Sequence, residues 1–155
     1  MDLARRKALK TGGGMTLMGA LFAAGLLKSA PAAAAWNEAA FTTKNMADTL
    51  KALGGTGAAE SAEIVITAPS IAENGAVVPI TVQSKLAKTE AIAILIEKNP
   101  NMLAASFEIP AGTEPDVGTR VKMGQTSDVH VIVKADGKFY RAVKEVKVTL
   151  GGCGG

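Results

Sequence analysis

The sequence predicts a mainly β fold, an antiparallel sandwich preceded by one helix and followed by a glycine-rich arm. Three observations predict it. Beyond Ala62 the apolar residues fall in short runs separated by Pro, Gly, Asn and Asp, which is the texture of strands and turns. Over residues 128–134, Val129, Val131 and Val133 share one face and Asp128, His130, Ile132 and Lys134 the other, polar one, and Asp136-Gly137 follows as a hairpin turn signal. Over residues 36–53, by contrast, apolar residues recur near a 3.6-residue period.

Trp36, Ala39, Ala40, Met46, Leu50 and Leu53 mark that single helix. Asn37 suits its N-cap, Thr42 and Thr43 weaken its middle, and Gly54-Gly55 end it. Its apolar stripe reads as a packing face. Residues 64–67 are the first strand, closed by Ala68-Pro69, and Glu73-Asn74-Gly75 is a turn signal. Residues 77–83 follow, with Pro79 assigning part of the run to an edge or a bulge. Residues 91–96 are apolar without alternation, the pattern of a strand covered on both faces, and are expected in the interior. Asn99-Pro100-Asn101 breaks the chain before a strand over 103–109, which Pro110-Ala111-Gly112 ends; 117–123 is a weaker strand. After the Asp136-Gly137 turn the chain returns over 138–142. A last strand over 143–150 sets Val146, Val148 and Leu150 on one face. Seven or eight short strands at this spacing suggest an immunoglobulin-like antiparallel β-sandwich, although the single cysteine excludes the Cys…Trp…Cys signature of antibody domains.

Charge is distributed unevenly. Arg5, Arg6, Lys7, Lys10 and Lys28 lie in the first 35 residues, opposed only by Asp2. Beyond Ala35 there are 12 Lys and Arg against 13 Asp and Glu, so the body is nearly neutral and offers no argument for nucleic acid. Residues 1–35 read as an export signal: a basic start, an apolar run from Met15 to Leu27, and alanines 32 to 35, with cleavage expected after Ala34 or Ala35. The apolar run is shorter than the roughly 20 residues of a membrane span. Arg5, Arg6, Leu9 and Lys10 match the twin-arginine export motif, while Ala4 and Ala8 depart from its usual polar residue and phenylalanine. The expected organisation is therefore a leader over 1–35, helix and linker over 36–62, a sandwich over 63–150 and an arm over 151–155.

The arm, Gly151-Gly152-Cys153-Gly154-Gly155, holds the sole cysteine. One cysteine excludes an intramolecular disulfide and a multi-cysteine zinc site. Glycine-rich chain behaves as flexible coil, and five residues reach about 16 Å when extended. No Lys, Arg or His lies in the arm, so nothing local lowers the thiol pKa from its ordinary value near 8.5. Such a thiol suits a carrier whose partners supply the activation better than it suits a nucleophilic enzyme. His130, the only histidine, is too few for a blue-copper centre of two His and one Cys, and is expected as an exposed strand residue. Glu73, Glu97 and Glu108 are scattered and read as solvated faces or turns; no cofactor or metal is expected. Two readings stand on the residues alone: a reactive thiol presented on a flexible arm, or an interaction module whose cysteine only forms intermolecular disulfides.

The terminal Gly-Gly-Cys-Gly-Gly resembles the carrier end of the SoxY family, the sulfur-carrier subunits of the bacterial Sox thiosulfate-oxidising system. The stretch Ala72-Glu73-Asn74-Gly75-Ala76-Val77-Val78-Pro79-Ile80 is similar to that family's A-E-N-G-A-V-V-P pattern. The resemblance implies an immunoglobulin-like body, a periplasmic location and a heterodimer with SoxZ. It implies Cys153 as the covalent attachment site, carried by Gly151, Gly152, Gly154 and Gly155. It further implies transient contacts with SoxAX, a haem enzyme that joins thiosulfate oxidatively to the thiol, and with SoxB, which hydrolyses the terminal sulfonate to sulfate. In some bacteria a sulfane dehydrogenase then oxidises the remaining persulfide. The chain would itself be no enzyme, and a carrier of another sulfur compound remains open.

Overall fold

A computed structural model describes residues 37–149; the leader, Trp36, Leu150 and the arm lie outside the described residues. Two helices open it, α1 (Glu38–Thr42) and α2 (Met46–Leu53), where the sequence predicted one. Side-chain competition for the backbone explains the break. The Thr42 hydroxyl donates to the Glu38 carbonyl at 3.0 Å and the Thr43 hydroxyl to the Ala40 carbonyl at 2.7 Å. Asn45 then caps a new helix, its side chain accepting from the Asp48 N–H at 2.8 Å. Asn37 caps α1 as expected, and α2 stops at Gly54, whose φ of 74° favours glycine.

Nine strands follow among the described residues: β1 (Ala59–Glu60), β2 (Ile64–Thr67), β3 (Ile71–Ala72), β4 (Val78–Ser84), β5 (Thr89–Ile96), β6 (Leu103–Glu108), β7 (Asp116–Val121), β8 (Ser127–Ala135) and β9 (Lys138–Val148). They form two sheets. The larger runs β1-β9-β8-β5-β6, with β3 also on β9; the smaller runs β2-β4-β7. The result is the mainly β, immunoglobulin-like sandwich that the sequence predicted, with two differences. The two-residue strands β1 and β3 pair in parallel with β9, so the pairing is not wholly antiparallel. The strands expected over 138–142 and 143–150 are one strand, β9, because neither Gly nor Pro interrupts them.

Pro79 is not on an edge strand: β4 is the middle of its sheet. The ladder between β2 and β4 begins at Thr81, so no β2 residue stands opposite Pro79 and its missing N–H costs no bond to that strand.

The main core fills the space between the sheets. Ile80 and Val82 from β4 meet Ile92, Ile94 and Ile96 from β5 and Val129, Val131 and Val133 from β8. A second core lies on the outer face of the larger sheet, where Ala93, Leu95, Leu103 and Ile132 pack with Ala40 and against Phe41, Leu53 and Phe139. Alternate side chains of a strand point to opposite faces. Strand β5 therefore serves both cores, which is why its sequence does not alternate. Ile132, which the alternation grouped with the polar residues of β8, is buried in the second core.

Replacing Ile94 by Ala should lower the unfolding free energy by about 2–5 kcal/mol. Replacing the exposed Ile71 by Ala should change it by no more than about 0.5 kcal/mol. Denaturant melts followed by circular dichroism check both.

Candidate functional site at the root of the arm

The described chain ends at Thr149, one residue beyond β9, so the structure defines the root from which the arm departs. Cys153 and its glycines lie outside the described residues. So do Arg5, Arg6, Leu9 and Lys10.

Two apolar side chains hold the root from within. Val146 is fully buried, and Val148 is half-buried against the inter-sheet core. The backbone is held from both sides. Ile71 and Ala72 pair with Lys147 and Val148. The Lys147 N–H donates to the Ser70 carbonyl and the Thr149 N–H to the Ala72 carbonyl, each at 3.1 Å. From the other side the Thr126 hydroxyl accepts from the Val148 N–H at 3.0 Å.

The 72–80 stretch supplies the next layer. The Asn74 side chain accepts from the Ala76 N–H at 2.9 Å and shapes the turn. The Gly75 carbonyl accepts from the Met123 N–H at 2.7 Å. A Cβ on Gly75 would collide with the Met123 carbonyl oxygen and come within 2.8 Å of Val148 Cγ1. Glycine is required there for close approach. The turn signal was legible in the sequence, but its role as a clamp on the root was not. Met123 and Val148 are remote in sequence and meet Gly75 only through the fold. Asn99 extends the clamp: its side-chain amide donates to the Lys122 carbonyl at 2.7 Å, joining the β5–β6 and β7–β8 connections.

Other features of the surface lie elsewhere. A cavity of about 280 Å³ opens between the helices and the outer face, lined by Asn37, Phe41, Leu53, Ile132, Lys134 and Phe139. Phe139 and Val148 are nine residues apart on one strand, about 30 Å, so this cavity is at the far end from the root. Charge pairing also gathers at that far end. Lys88 bonds Asp136 at 2.8 Å and Lys134 bonds Glu90 at 2.6 Å. These hydrogen bonds hold both carboxyls below their ordinary range and raise both lysines.

His130 is not the exposed residue the sequence suggested. Its side chain keeps only 17% of its exposure, and Nε2 is 3.4 Å from Glu97 Oε2. Glu73, Glu97 and Glu108 are all exposed as expected, and Glu97 in addition lies beside His130.

The family profile described as Sulfur oxidation protein SoxY matches residues 50–153. Among solved structures, the sulfur carrier protein SoxY from Chlorobium limicola f thiosulfatophilum superposes with a TM-score of 0.59 at 40% identity, covering 67% of this chain and 96% of that one. A superoxide reductase (neelaredoxin) from Ignicoccus hospitalis superposes with a TM-score of 0.50 at 19% identity, over 59% of this chain and 83% of that one, and shares the fold alone. No curated protein matches.

Replacing Gly75 by Ala should cost about 1–3 kcal/mol. Amide hydrogen exchange should accelerate more at Val148 and Thr149 than at Ile94 in the middle of the core. Equal acceleration at all three amides would mean that Gly75 has no particular hold on the root. At the far end, Glu90 and Asp136 contribute stability that is present above the unfolded carboxylate pKa and lost as pH falls through their depressed folded values. Carboxyl titrations by NMR should place both below the ordinary range, and Lys134→Met should bring Glu90 back toward it.

Proposed function

The chain belongs to the SoxY sulfur-oxidation family, and from that premise we propose that it is a periplasmic carrier that binds thiosulfate-derived sulfur covalently on Cys153 and presents it to partner enzymes. The observation that carries the proposal is where the family match ends. It runs to residue 153, so it takes in the cysteine as well as the body. The pinned root supports the reading: β9 is held to Thr149, and the chain beyond it to Cys153 is Leu150 and two glycines.

The chemistry balances with partners supplying what the chain lacks. Loading joins the Cys153 sulfur to the sulfane sulfur of thiosulfate, giving Cys–S–S–SO3⁻, one proton and two electrons. A haem protein of the SoxAX kind accepts the electrons. Hydrolysis by a partner of the SoxB kind adds water, breaks the S–SO3 bond and leaves the persulfide Cys–S–S⁻, sulfate and two protons. A thiol near its ordinary pKa is only a few per cent thiolate at neutral pH, so deprotonation falls to the loading partner. Glycines on either side leave the thiol slim enough for a narrow enzyme cleft. SoxZ is the expected heterodimer partner, and a sulfane dehydrogenase is a further partner for the persulfide. The twin-arginine-type leader, through Arg5, Arg6, Leu9 and Lys10, accounts for delivery to the periplasm.

Incubation with thiosulfate and a thiosulfate-oxidising haem partner should add one thiosulfate to the tail peptide by mass spectrometry, and Cys153→Ser should abolish the gain. A sulfur adduct elsewhere with Cys153 blocked, or a disulfide dimer as the sole product, would overturn the proposal.

A further inference from the structure

Glu97, Asp128 and His130 each offer one ligand atom, and the three atoms all lie within 4.8 Å of one another. The sheet itself brings them together. Leu95 pairs with His130 across β5 and β8, and the Glu97 N–H donates to the Asp128 carbonyl at 3.1 Å. Residues two apart on a strand share a face. Asp128 and His130 therefore stand side by side on the outer face of β8, with Glu97 alongside at the end of β5. Glu145 pairs with Asp128 from β9, on that same face, and adds negative charge.

The three groups are held close and only weakly satisfied, by one long Glu97–His130 hydrogen bond. The Glu97–His130 contact of 3.4 Å is well beyond the roughly 2.7–2.9 Å of a charge-assisted hydrogen bond. The Asp128 carboxylate has no hydrogen bond or ion pair among the described residues. The imidazole is sunk in the face while the Glu97 side chain stays 45% exposed, so one side of the cluster is open to solvent.

We propose that Glu97, Asp128 and His130 form a binding site for one divalent transition-metal ion, with zinc the ion that the donor set fits best. One imidazole nitrogen with two carboxylate oxygens suits zinc, which takes such donors at about 2.0–2.2 Å. Calcium and magnesium prefer oxygen alone. Donors around tetrahedral zinc stand about 3.3 Å apart, so the side chains close on the ion by small rotations while the strands stay fixed. Three protein ligands leave the fourth position to water. Bound there, the ion ties the end of β5 to the start of β8. The Lys98 N–H already donates to the Ser127 hydroxyl at 3.0 Å across the same gap. None of the three ligands belongs to the arm, so the site stands whether or not Cys153 carries sulfur.

Calorimetric titration of zinc chloride into the Cys153→Ala protein, which removes the competing thiol, tests this. One zinc per chain should bind. His130→Gln and Glu97→Gln in that background should each weaken binding at least tenfold, while Glu114→Gln on an exposed loop should not. Cobalt chloride should give visible absorption bands that His130→Gln abolishes. Absence of zinc binding, unchanged binding in both ligand variants, or calcium binding as tight as zinc would overturn the proposal. The last result would leave only an acidic patch.

Discussion

Burial of both faces of β5 is the constraint on which the rest of the molecule depends. Ile92, Ile94 and Ile96 close the space between the sheets, while Ala93 and Leu95 receive the helices. Each fully buried aliphatic side chain is worth about 1.5–3 kcal/mol. A strand so held on both faces cannot slip, because a one-residue shift would exchange the two cores. Isoleucines fill the inter-sheet gap, whereas the small Ala93 leaves room for helices on the other side. The small outer residue and the large inner ones cannot trade places.

With β5 locked, β8 is locked by seven paired positions from Thr89 to Ile96, and β9 follows β8 through the Asp136-Gly137 turn. The chain of constraint ends at Val148 and Thr149. There the framework changes character. Strand β9 has had a full partner in β8 along most of its length, and its last residues are held instead by short pieces: two residues of β3, one threonine hydroxyl and the close approach of Gly75. These pieces come from two separate stretches, the one between β2 and β4 and the β7–β8 connection, so the root reports on how well the whole end of the sandwich is assembled. A carrier needs this division of labour. The body supplies a fixed origin for the glycine-rich segment that follows it in the sequence.

The same end of the larger sheet carries Glu97, Asp128 and His130. Their meeting follows from the register that locks β8 to β5, because Leu95 opposite His130 brings Glu97 to Asp128. One framework thus sets both the root of the arm and the donor cluster, although the two use different side chains.

Much of this was legible in the residues. The valine alternation of β8, the Asp-Gly turn and the unalternating run of β5 all report local rules: side-chain period, positive φ at a turn, and coverage of both faces. The break between α1 and α2 was half legible, since Thr42 and Thr43 weakened the helix without showing that Asn45 would start another. The two-residue strands β1 and β3 were not legible, being too short to carry a period. Nor was the burial of Ile132, or the partial burial of His130, on a face that alternation marked as polar. The burial of Ile132 depends on helices arriving from elsewhere in the chain. By itself the sequence determined the fold class, the core strands and the unique thiol within its glycines, because these rest on composition and short-range period. Only the tertiary structure decided that Gly75 clamps Val148 and that Glu97, Asp128 and His130 converge. Contacts between residues remote in sequence are set by register and packing, which no local pattern encodes.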